Sequence, residues 1–198
     1  RCQNFGLPRG REKTHYNPEV EALLNNGILD RVTKFEDLPI IATGCDTYAS
    51  IYPEFRHLVM DKTVDEVVDH LLSLTPEGCW TQDNGQDIHL IMTGGEPLLA
   101  WQRLYIELFE HPRMRDLKNV TFETNTTQRL HPEFKDYLAN KARFKTTFSC
   151  SPKLSVSGES WQDAIKPSIA LDYASVSGVD IYLKFVVADA VDVKEVGE

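Results

Sequence analysis

Asp87-Ile88-His89-Leu90-Ile91-Met92-Thr93-Gly94-Gly95-Glu96-Pro97-Leu98-Leu99-Ala100-Trp101 is the stretch whose reading decides the fold. Its first half is an apolar run of strand length, and residues 87–93 read as a buried strand. Its second half starts a helical pattern, read as a helix over 98–109. Gly94-Gly95-Glu96-Pro97 therefore sits where a strand ends and a helix begins. Glycines have no Cβ, so the backbone there can approach a ligand closely. The carboxylate beside them can accept hydrogen bonds from an amine.

The same alternation continues outward. Asn119–Thr124 is rich in β-branched and aromatic residues and reads as a strand. A helix is expected over 132–141, a strand over 146–150, a helix over 161–174 and a final strand over 180–188. Repeated β–α units imply a parallel sheet covered by helices. Before the first strand, Thr63-Val64-Asp65-Glu66 fits a capping box, with Thr63 as N-cap and Glu66 at N3. Val64, Val67, Val68, Leu71 and Leu72 then recur on one face. Their burial is worth roughly 7–15 kcal/mol, similar to the cost of ordering the segment, so this helix needs a sheet to pack on.

Composition narrows the function. The 198 residues are 41% hydrophobic and 26% charged, ordinary for one soluble domain with a real core. No apolar run approaches the ~18 residues of a membrane helix, and no secretory signal is visible. With 30 acidic against 21 basic residues and a net charge of −9, a nucleic-acid groove is not expected. A cytoplasmic protein with a small-molecule ligand is. Four cysteines, Cys2, Cys45, Cys79 and Cys150, permit three disulfide pairings. In a cytosolic protein they are more often buried, catalytic or metal-bound. The six histidines show no ligand spacing and receive no role.

Residues 3–43 are polar and broken by Pro8, Gly10, Asn17-Pro18 and Asn26-Gly27. They read as a long loop with one short helix, Asn17 as N-cap, Pro18 at N1, and Val20, Leu23 and Leu24 inward. No repeat and no domain boundary is apparent, so residues 1–198 are read as a single domain carrying that insertion.

Four polar clusters fall at strand ends or in the opening loop: Cys45-Asp46-Thr47, Gly94–Pro97, Glu123-Thr124-Asn125 and Ser151-Pro152-Lys153. In a (βα) barrel, loops at the C-terminal ends of the strands build the site. That set, in that order, resembles the radical S-adenosylmethionine enzymes, and within them the 7-carboxy-7-deazaguanine synthases of 7-deazapurine (queuosine precursor) biosynthesis. The resemblance runs from Arg1 to about Val187, although its specific motifs are short.

The resemblance implies an α/β fold: an incomplete (β/α) barrel of the radical SAM type, with parallel strands and outer helices. It implies a lyase that converts 6-carboxy-5,6,7,8-tetrahydropterin to 7-carboxy-7-deazaguanine and ammonia. The cofactors would be a [4Fe–4S] cluster, S-adenosylmethionine and Mg²⁺. A homodimer and an external electron donor go with it. Carried over by position, Cys2 and Cys45 are cluster ligands, since thiolates suit such clusters, and Thr47 is a magnesium ligand. Asp46, Gly95, Glu96, Ser151 and Lys153 are expected to hold S-adenosylmethionine. Thr93, Glu123 and Asn125 are expected to contact substrate, the last two reading the donor edge of a pterin ring. Alternatives stay open: Glu123 or Asn125 as a helix cap, Thr47 as an ordinary N-cap, Lys153 as a surface lysine. A glycyl-radical activase shares GGEP, and a non-catalytic module on a degenerate fold is a third reading.

The sequence departs from the family pattern at its cysteines. The residue three before Cys45 is Ala42, and the preceding cysteine is Cys2. An inserted loop between cluster cysteines adds roughly 2.5 kcal/mol of closure entropy, which cluster binding can offset. The remaining cysteine of a C-x3-C pair is expected two residues upstream of Arg1. The family's first strand and its closing strand after Val187 are likewise expected outside the chain. As given, the chain is expected neither to hold a stable cluster nor to turn over. Thr126 stands where the family more often has glycine. A pocket carboxylate adds little to a core, so Glu96→Ala is expected to impair cofactor binding and leave the fold.

Overall fold

The computed structural model describes residues 17–42, 44, 45, 47–50 and 52–197. They form two compact units. One contains Asp61–Ser151 and Lys166–Lys184; the other contains the described residues up to Met60, Pro152–Ile165 and the described residues from Phe185 onward.

The first unit is a parallel sheet of β1 (His89–Met92), β2 (Asn119–Thr124), β3 (Lys145–Cys150) and β4 (Val179–Leu183), in spatial order β1-β2-β3-β4. All three pairings are parallel. Helices α2 (Val64–Ser73), α3 (Gln102–Glu110), α4 (Pro132–Asn140) and α6 (Pro167–Ala174) share one core with it. Right-handed crossovers between strands that follow one another in sequence put successive helices on one side. The core fits that geometry: Leu90, Val120, Phe122, Phe148 and Cys150 meet the helices, and all have the same strand parity. Phe122 stacks on Phe148 at 5.4 Å, and Phe148 on Tyr173 at 4.6 Å. The opposite face carries His89, Ile91, Thr121, Glu123, Thr147, Ser149, Asp180 and Tyr182. An all-parallel sheet is normally buried on both faces. A mostly polar second face, with every helix of the unit on the first, suits a barrel arc better than a doubly wound sheet.

The capping box of α2 forms as expected. Thr63 N–H donates to Glu66 Oε2 at 2.8 Å, and Glu66 N–H donates to Thr63 Oγ1 at 3.3 Å. Val68 and Leu72 are buried, while Val64, Val67 and Leu71 are partly so, which puts the burial gain toward the lower part of the range above.

Several elements differ from the sequence expectation. The helix expected from Leu98 begins at Gln102, because Gln102 is spent on the loop: its Nε2 donates to the carbonyls of Leu98 at 2.8 Å and Arg129 at 2.9 Å. The helix expected over 161–174 is broken into α5 (Trp161–Ala164) and α6. Pro167 has no N–H to donate and drives Lys166 out of helical geometry, to φ −129°, ψ 74°. The strand expected over 180–188 stops at Leu183. The last ladder bond runs from Lys184 N–H to Cys150 O at 2.7 Å, after which the neighbouring chain reaches Pro152. Further on, Asp189 caps a helix that the sequence reading missed, α7 (Ala190–Val196), by accepting from Val191 and Asp192 N–H.

The second unit has its own small core of Val20, Ile28, Val32, Tyr48, Ala49, Tyr52, Phe55 and Leu58. Helix α1 (Pro18–Asn25) starts as expected, with Asn17 Oδ1 accepting from Glu19 and Val20 N–H and Pro18 at its first turn. Short 3₁₀ turns, two of them within the stretch read as an insertion loop, and helices α5 and α7 also belong to this unit. No described helix is long and apolar enough to cross a membrane.

Candidate functional site at the strand C-terminal rim

Gly94 and Gly95 take φ of +80° and +34°, a conformation that side chains disfavour. A Cβ added at Gly94 would meet nothing within 4 Å. Gly94 is therefore demanded by the turn rather than by packing, and the space beside it is open. The turn swings Glu96 onto the end of β2. Glu96 Oε1 accepts from Thr124 Oγ1 at 2.7 Å and from Leu98 N–H at 3.1 Å; its Oε2 accepts from Asn125 N–H at 2.7 Å. Thr124 O in turn accepts from Ser151 N–H at 2.7 Å. The expected site residues Glu96, Asn125 and Ser151 are thus joined in one network whose hub is Thr124.

This arrangement revises the expectation that Glu96 matters little to the fold. Its carboxylate ties the first rim loop to the second. A carboxylate offers about four lone-pair sites, so three protein donors leave room for one more.

Beneath the rim, Glu96 colours the electrostatics of its neighbours. Burial, with the Glu96 charge adding, pushes the Tyr105 phenol up to about 12; its hydroxyl donates to Pro97 O at 2.8 Å. Burial first, then Glu96, raises Tyr173 as well. Cys150 is raised by burial, the Thr126 hydroxyl pulls the other way, and Glu96 raises it further. Cys150 is a buried core residue at the end of β3.

The remaining expected residues are placed as follows. Thr93 is exposed between β1 and the glycines. Asn125 Oδ1 accepts from Thr127 N–H at 3.0 Å and Thr127 Oγ1 at 2.6 Å. Its oxygen thus holds a turn and caps no helix, which narrows what it can offer a ligand to its NH₂ group. Glu123 accepts from Lys184 Nζ at 2.6 Å, just past the end of β4. Neither Lys184 nor Thr124 stood out in the sequence. Lys184 was legible as continuing the outward parity of Asp180 and Tyr182; Thr124 was hidden between two better candidates. In the other unit, Cys45 Sγ and Thr47 Oγ1 are 3.2 Å apart, within hydrogen-bond distance, and Lys153 is half-buried. Cys2 and Asp46 lie outside the described residues.

Among the described residues no group of three His, Cys, Asp or Glu side chains could hold a metal ion. Cys79 Sγ donates to Thr81 O at 3.1 Å and Cys150 is buried. Cys45 is the remaining described thiol, so the described residues by themselves fall short of a three-thiolate set.

No family model matches the chain, and no solved structure matches it. Among curated proteins, the 7-carboxy-7-deazaguanine synthase of Pyrobaculum aerophilum is 32% identical over 158 residues, an alignment that takes in 80% of this chain and 58% of that protein. The chain therefore spans a little over half the length of that relative. The chain is similar, over four fifths of its own length, to part of a 7-carboxy-7-deazaguanine synthase.

Proposed function

We propose that the protein of which this chain is part is a radical S-adenosylmethionine lyase of the 7-carboxy-7-deazaguanine synthase type. It would act on 6-carboxy-5,6,7,8-tetrahydropterin and release ammonia. The observation that carries the reading is the Glu96–Thr124–Asn125 network, which joins the GGEP turn to Glu123-Thr124-Asn125 at the C-terminal rim of a parallel arc. The similarity to part of the Pyrobaculum synthase also supports it. GGEP alone would suit a glycyl-radical activase equally well; the three other motifs favour the synthase.

In this reading the cofactors, when bound, supply a 5′-deoxyadenosyl radical. The chain's own residues bind and orient. Gly95 and the remaining acceptor site of Glu96 receive the methionyl amine of S-adenosylmethionine, and Asp46, Ser151 and Lys153 are assigned to the same cofactor. Cys2 and Cys45 contribute thiolates to a [4Fe–4S] cluster completed from elsewhere in the protein, and Thr47 contributes to Mg²⁺. Thr93 and Glu123 meet the substrate, and Asn125 meets an acceptor on it through its NH₂. A homodimer, an external electron donor and a cytoplasmic location go with this reading.

The test is anaerobic reconstitution of the full-length protein with iron and sulfide, followed by incubation with S-adenosylmethionine, a reductant and the carboxypterin. Formation of 7-carboxy-7-deazaguanine is the expected result. Four irons per chain with cofactor cleavage but no deazaguanine product would shift the assignment to another radical enzyme.

A further inference from the structure

The polar face of the sheet carries two cross-strand ion pairs. Near the strand N-terminal ends, Lys145 Nζ lies 2.7 Å from Asp180 Oδ2, with both side chains 61% exposed. This is an ordinary solvated pair, worth little to stability. At the other end, beside the rim network, Lys184 Nζ lies 2.6 Å from Glu123 Oε2, with exposures of 48% and 28%. The second pair differs in what surrounds it. In register, Ser149 is flanked by Glu123 on β2 and Tyr182 on β4. Ser149 is 0% exposed, and its Oγ finds no hydrogen-bond partner among the described residues. A buried hydroxyl without a partner is costly. Set in register between an accessible ion pair and the half-exposed ring of Tyr182, it is a polar group whose hydrogen-bonding capacity the described residues leave unused.

We propose that Lys184 is a specificity-determining residue which, with Glu123, reads the pyrimidinone edge of the substrate; this rests on the reading above. A carboxylate is acceptor-only and an ammonium donor-only. Side by side they match a 2-aminopyrimidin-4-one, whose ring N–H and exocyclic amine face the carboxylate while the adjacent carbonyl oxygen faces the ammonium. One ammonium proton is spent on Glu123, leaving two for the ligand. Tyr182 offers a ring face against which a planar heterocycle can stack. Ring contraction of a pterin to a deazaguanine leaves this edge unchanged, so the pair holds substrate and product through the same atoms.

The experiment uses the full-length protein and two probes, pterin-6-carboxylic acid and lumazine-6-carboxylic acid, in which an oxo group replaces the 2-amino donor. Binding is followed by fluorescence titration, with S-adenosylmethionine binding measured in the same samples. Each contact is a hydrogen bond to a charged group, so its loss should cost roughly tenfold or more in affinity. The parent is expected to prefer the pterin by at least that factor. Lys184→Met is expected to lose about tenfold for the pterin with an unchanged circular dichroism spectrum, and Lys184→Arg to recover part of it. Glu123→Gln should move the preference toward the lumazine, because an amide can donate to the new oxo group. Lys145→Met, in the pair at the far end, should change nothing. Equal pterin binding by parent and Lys184→Met overturns the assignment, as does equal weakening of both probes by Glu123→Gln. Binding of neither probe by the parent overturns it too; if S-adenosylmethionine binding is also absent, the functional reading fails with it.

Discussion

Thr126 is held at φ +64° with its side chain buried. A β-branched residue in that region is an outlier, and it occupies the turn directly after Asn125. The conformation costs roughly 1–2 kcal/mol. Thr126→Gly would relieve that strain, lose a buried methyl worth about 0.8 kcal/mol, and loosen the unfolded chain by about 0.5–1 kcal/mol. The effects nearly cancel, so the variant should match the parent within about 1 kcal/mol in urea denaturation. A loss above about 2 kcal/mol would show that the threonine side chain contributes more than the turn geometry allows. Glu96 behaves oppositely. Glu96→Ala strands Thr124 Oγ1 and the N–H groups of Asn125 and Leu98. Partly buried orphans of this kind cost about 1 kcal/mol each, so a destabilisation of roughly 2–3 kcal/mol is expected, with Glu96→Gln recovering part. A melting temperature unchanged by Glu96→Ala would remove the carboxylate from its tying role.

At the scale of elements, α2 illustrates how far local chemistry carries. The Thr63 N–H and hydroxyl, followed by the Lys62 charge, hold the Glu66 carboxyl below its ordinary value. A carboxyl lowered on folding contributes stability above its ordinary value, and that contribution is lost as pH falls through the lowered one. Asp87 is lowered in the same sense, by Lys118 first and Thr81 second. Stability should therefore decline on acidification through and below the carboxylate range, and Glu66→Gln with Asp87→Asn should flatten that decline in pH-dependent melts. Thr63→Ala should cost about 1 kcal/mol at neutral pH. The same local reasoning was available at Lys166-Pro167, where the helix breaks, and at Asp189 with Asp192, where α7 begins. It was not available at Gln102, whose amide is spent on carbonyls of Leu98 and Arg129; that choice depends on what the fold brings near.

For the molecule as a whole, the sheet edges are the exposed feature. Among the described residues β4 pairs with β3 alone, and Tyr182, Leu183, Val186 and Val187 are exposed along or just after it. An unpaired apolar edge invites strand addition from another copy. The 198-residue chain should self-associate in a concentration-dependent way, seen by sedimentation or light scattering, and Leu183→Lys should suppress it. Association indifferent to that charge would place the sticky surface elsewhere.

Alternating apolar runs and turn residues announced a parallel α/β sheet, because strand and helix periods are local properties of the chain. Thr63–Glu66 and Asn17-Pro18 named two helix starts for the same reason: a cap is satisfied within a few residues. GGEP and Glu123-Thr124-Asn125 could be picked out as rim motifs. That Glu96 binds the end of β2 and that Lys184 meets Glu123 were decided by tertiary structure. Hydrogen-bond partners 28 to 61 residues apart meet only when parallel strands are laid in register, and no local pattern encodes which donor a carboxylate will face once they are.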